Sequence, residues 1–71
     1  MSESLKRMAE EYRVNAKPML ERIKTLKRLL AQTDTRSAEW TRLRGHILTL
    51  EAIYADNIHT AAYLENYHGG D

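Results

Sequence analysis

Residues 40–68, WTRLRGHILTLEAIYADNIHTAAYLENYH, decide the fold. Trp40, Leu43, Ile47, Leu50, Tyr54, Asn57, Ala61, Leu64 and His68 recur in alternating steps of three and four without a slip. That is the spacing of a seam along one face of a long helix. Asn57 is its polar member and reads as a residue that fixes register rather than as a ligand. Gly69 and Gly70 follow, and glycine commonly stops a helix.

Upstream, Leu5, Met8, Tyr12, Ala16, Met19, Ile23, Leu26 and Leu30 give steps of 3, 4, 4, 3, 4, 3 and 4. At 100° per residue they occupy an arc of about 80°, a single apolar stripe. Pro18 falls inside it. Proline removes a backbone donor and crowds the carbonyl four residues earlier, so the first helix is expected to be kinked or broken near Pro18. The stripe keeps its phase across the proline, which favours one kinked helix. Thr33-Asp34-Thr35 interrupts the pattern with residues that bond to neighbouring backbone, and Asp34 or Thr35 is the expected N-cap of the next helix, with Glu39 near its positive end. The prediction is one all-α domain: helix about 4–32, turn about 33–36, helix about 37–67 and a short tail. So short a connection makes the helices antiparallel neighbours.

The second helix has more apolar surface than one seam needs. Leu48, Ala55 and Ala62 form a row spaced by seven, about 100° from the seam, with Ile58 between. A hairpin partner can cover one of these faces only. Exposed apolar surface of that extent marks an interface, so Leu48, Ala55, Ile58 and Ala62 are the expected self-association residues. The simplest closed assembly is a homodimer forming a four-helix bundle. The need for one follows from size: 71 residues without cysteine have no disulfide to supplement a thin core.

The net charge of +1 conceals an asymmetry. Residues 21–44 carry Arg22, Lys24, Lys27, Arg28, Arg36, Arg42 and Arg44 against Glu21, Asp34 and Glu39, a balance of +4; the remainder balances at −3. The turn end is therefore basic and the open end acidic. Packed antiparallel, two copies would set unlike ends side by side, which fixes orientation more than it adds affinity. The alternative partner is nucleic acid, with Arg22, Lys24, Arg28, Arg36, Arg42 and Arg44 as candidate phosphate contacts. Lys6, Arg13, Lys17, Lys24 and Arg28 also align within about 60° on the first helix.

Chemistry has little foothold. Asp56-x-x-His59 and Glu65-x-x-His68 have metal-ligand spacing, but residues nine apart on a helix point about 180° away from each other, so the two pairs cannot meet in one chain. Serine occurs only at positions 2, 4 and 37, in the N-terminal segment and the turn, and no relay to His46 or His59 suggests itself. No metal, cofactor or enzymatic activity is expected. No apolar run approaches the roughly 18–20 residues that span a bilayer, and residues 1–7 lack the apolar core of a signal peptide, so a cytoplasmic location is expected. Tyr12, Tyr54, Tyr63 and Tyr67 should gather at the open end. Tyr63 and Tyr67, four apart and off the seam, are candidate partner contacts, because aromatic residues are enriched at interfaces. The functional expectation is a small non-enzymatic interaction module, a self-associating adaptor or regulator that binds another protein.

Overall fold

The computed structural model describes residues 2–67, and the side chains of residues 3–67. Two antiparallel helices, α1 (Ser2–Ala31) and α2 (Ala38–Glu65), pack on each other, with no strand among the described residues. The all-α hairpin read from the spacing is therefore the fold. The molecule measures 55 × 17 × 11 Å, and its radius of gyration is 16.4 Å. A compact chain of this length would have about 11 Å.

α1 runs unbroken through Pro18. Tertiary packing on both sides of the proline outweighs the one backbone bond it removes, so the chain does not divide into two helices there.

The α2 seam is as expected. Leu43, Ile47 and Ala61 are buried, and Trp40, Leu50, Tyr54, Asn57 and Leu64 are half-buried. His68 and Gly69-Gly70 lie outside the described residues, while α2 itself closes at Glu65. There Asn66 caps it, its backbone N–H and its side-chain amide both donating to the Ala62 carbonyl, at 3.1 and 2.8 Å.

The α1 stripe needs one correction. Ala9, not Met8, faces α2: Ala9 is wholly buried, whereas Met8 is 44% exposed. With Ala9 in place, Leu5, Ala9, Tyr12, Ala16, Met19, Ile23, Leu26 and Leu30 alternate strictly by four and three, which the longer side chain of Met8 had disguised. Ala9, Ala16 and Ala61, all within 1% of complete burial, let the two backbones approach closely. Tyr12 sits on the seam but stays at the surface, because two helices cannot cover the outer part of so large a ring.

The turn also differs in detail. The N-cap of α2 is Ser37, whose hydroxyl accepts from Trp40 N at 3.1 Å, rather than Asp34 or Thr35. Asp34 instead organises the turn ahead of the cap. Its carboxylate accepts from Arg36 N at 3.0 Å, and its carbonyl accepts from the Ser37 hydroxyl at 2.7 Å. Glu39 lies in the first turn of α2, where the helix dipole favours a carboxylate.

Among the described residues no large side chain is fully buried; Ile23 at 3%, Ile47 at 4% and Leu43 at 9% are the deepest of them. The accessible surface is 5628 Å², against about 4,600 Å² for a compact monomer of this mass.

Two substitutions with opposite effects check these assignments. Ser37→Ala should lower the unfolding free energy by about 1 kcal/mol through loss of the cap. A Cβ added to Gly45 meets nothing within 4 Å, so Gly45→Ala should raise it by about 0.5–1 kcal/mol through helix propensity. Urea unfolding followed by helical circular dichroism, at one fixed protein concentration, reads both.

Candidate functional site

The candidate contacts of the hairpin lie along its edges and at its ends. One edge is held by two ion pairs between the helices: Arg13 donates from Nε to Glu65 Oε2 at 3.0 Å, and Lys27 Nζ lies 2.8 Å from Glu51 Oε2. Arg13 and Lys27 are fourteen residues apart, and so are Glu51 and Glu65, so both pairs report the same register. That register sets Leu20 and Ile58, both half-buried, midway between the ion pairs. Ile58, expected to serve self-association, is thus partly covered by α1's own edge.

The Arg13–Glu65 pair makes a second bond through the Arg13 Nη2 group, giving the forked geometry that strengthens an arginine–carboxylate contact. Both side chains remain about two-fifths exposed, so water screens the pair. The hydrogen bonds from Arg13 hold the Glu65 carboxyl below its ordinary range and, reciprocally, raise the Arg13 guanidinium above its own. The bond withdraws Arg13 from the basic row of α1. Lys6, Glu10, Arg13 and Glu65 line an open groove of about 430 Å³ here, with two charges of each sign.

The turn end holds the six candidate phosphate contacts, all exposed: Arg22, Lys24, Arg28, Arg36, Arg42 and Arg44. Four have neighbours. Lys24 is 3.7 Å from Glu21, Arg42 is 3.8 Å from Glu39, and Arg28 donates to Thr25 Oγ1 at 3.3 Å. The Arg44 guanidinium lies 5.8 Å from the Trp40 ring centre, within cation–π range. The cluster projects from both helices and the turn rather than forming one continuous track.

At the open end Tyr63 and Tyr67 are 64% and 46% exposed, their ring centres 5.6 Å apart and tilted by 34°. The pair is mutually ordered yet open to solvent. Of the row expected for self-association, Leu48 is 52% exposed, Ala55 is exposed and Ala62 is half-buried.

No three His, Asp or Glu side chains among the described residues are grouped to hold a metal ion. Asp56 and His59 are exposed, and the Glu65-x-x-His68 pair extends beyond the described residues. No helix among them is long and apolar enough to cross a membrane. Comparison with known protein families, curated proteins and solved structures returns no match.

The two ion pairs escaped the reading of the sequence because they join residues 24 and 52 positions apart. A signal was present: cations spaced by fourteen on one helix and carboxylates spaced by fourteen on the other.

The depressed Glu65 carboxyl predicts a sign. Its ion pair contributes stability above the unfolded-state value near 4.3, and that contribution is lost as pH falls through the lower folded value. Glu65→Gln should therefore flatten the acid limb of the stability profile, and carboxyl carbon NMR should show Glu65 titrating below the ordinary glutamate value.

Proposed function

We propose that this protein is a non-enzymatic helical interaction module, a self-associating adaptor or regulator that works by binding other polypeptides. One observation carries the reading: Met8, Tyr12, Val14, Leu29, Leu48, Ile53, Tyr63 and Tyr67 all stay more than one-third exposed, while no large side chain among the described residues is fully buried. A hairpin this thin leaves its apolar surface to be covered by another chain. The surplus of about 1,000 Å² over a compact monomer is close to the roughly 800 Å² per partner that a standard interface removes.

The simplest assembly is a homodimer closing a four-helix bundle, with Tyr63 and Tyr67 at the acidic end available as contacts for that copy or for a further protein. Sedimentation equilibrium across micromolar to millimolar concentrations tests it. A dimer with concentration-dependent thermal stability is expected; a stable, strictly monomeric hairpin throughout would overturn the proposal.

A second reading, favoured by the exposure of all six candidate basic residues at the turn end, is a nucleic-acid-binding regulator. It requires affinity for generic RNA or DNA that falls steeply as salt rises from about 50 to 200 mM. Absence of binding at the lowest salt removes it.

A further inference from the structure

The two edges of the hairpin differ sharply in composition. The edge with the Arg13–Glu65 and Lys27–Glu51 pairs is charged at six of its eight heptad positions, Leu20 and Ile58 being the exceptions. On the other side of the seam, the residues spaced by seven are Met8, Asn15, Arg22 and Leu29 on α1, and Glu39, His46, Ile53 and Thr60 on α2, with Tyr67 just past the helix end. Arg22 and Glu39 are the Lys, Arg, Asp or Glu residues among its eight helical positions, against six of eight on the ion-paired edge. Met8, Leu29, Ile53 and Tyr67 are 44, 47, 43 and 46% exposed. Tyr12 and Tyr63 border the same edge, so six of the eight large exposed apolar residues lie on this side of the molecule; Val14 and Leu48 do not.

From this asymmetry we propose that a second copy of the chain docks antiparallel on the edge formed by Met8, Leu29, Ile53 and Tyr67. The inference rests on the self-association proposed above and specifies its surface, placing the contact opposite the ion-paired edge rather than at the Leu48 row. Three observations point to a second copy. The surface surplus of about 1,000 Å² suits a standard interface. The +4 turn end and the −3 remainder complement each other only when the copies run antiparallel.

The third is positional. Met8 and Leu29 stand three heptads apart, about 31 Å along α1, and they are centred on the same point as Asn15 and Arg22. A twofold axis through that point sets Leu29 against the partner's Met8 and Arg22 against the partner's Asn15, whose amide oxygen accepts hydrogen bonds. Each contact is made twice, as an isologous interface requires. A parallel arrangement would instead stack Arg22 on its own copy and basic turn on basic turn.

Two measurements test this. The first is sedimentation equilibrium of the full chain, of Leu29→Glu/Ile53→Glu and of Leu48→Glu, with circular dichroism as a check on helicity. The double variant should stay helical and weaken the dimer by about 100-fold or more, whereas Leu48→Glu should leave it within a few-fold. The opposite result, a dimer surviving the double variant and lost with Leu48→Glu, would overturn the assigned edge while leaving self-association standing. A full chain monomeric at every concentration would sink both.

The second uses the absence of cysteine and does not depend on disrupting the interface. Met8→Cys and Leu29→Cys chains, mixed and oxidised, should form the mixed disulfide in preference to either like pair. Preferential like-with-like linkage at both positions would establish a parallel dimer and overturn the orientation; no linkage above that of a Glu3→Cys control would overturn the edge.

Discussion

Everything in this molecule follows from having only two helices. A helix in a pair can bury one strip of its circumference, and a large side chain on that strip still has an outer flank with nothing above it. The residues within 1% of full burial are accordingly alanines, Ala9, Ala16 and Ala61. They allow close backbone approach while contributing little apolar area themselves. At roughly 25 cal/mol per Å², the buried area has to come from partly covered Leu, Ile and Met residues distributed along a molecule 55 Å long. The long shape and the large exposed surface are the same fact seen from two sides.

That constraint also decides which parts of the sequence were legible. The α2 seam could be read because its apolar residues are large and its alternation is regular, so side-chain size and periodicity agreed. On α1 they disagreed at one place: Met8 is more hydrophobic than Ala9, and hydrophobicity pointed to the wrong neighbour. Strict alternation would have chosen correctly. Where interhelical spacing is set by close approach, a small residue is worth more at the seam than a long one. The same kind of competition occurred in the turn. Asp34, Thr35 and Ser37 can all cap, and the choice was made by how the preceding turn folds, with Asp34 bonding to Arg36 and Ser37 and leaving the Ser37 hydroxyl to accept from Trp40.

What could not be read was anything that needs the register of α1 against α2. The basic row of α1 looked continuous because each cation was judged on its own helix. In the structure Arg13 belongs to Glu65, so the row is interrupted by a partner that only folding supplies. The tyrosines illustrate the converse. Tyr63 and Tyr67 are local, four residues apart, and their proximity and exposure were evident from helical geometry alone.

The ion-paired edge has one more consequence. Apart from exceptions such as Trp40 and Asn57, an apolar seam that repeats every seven residues resists a slide of one heptad only weakly, since Leu, Ile and Ala meet Leu, Ile and Ala again. The edge is not indifferent. A slide of seven residues in either direction would bring Lys27 beside Arg44 or Ile58, and Leu20 beside a glutamate. Its charge–apolar–charge order works as a key cut to one position, so the fold can have a thin, repetitive core and still have a single alignment of its helices.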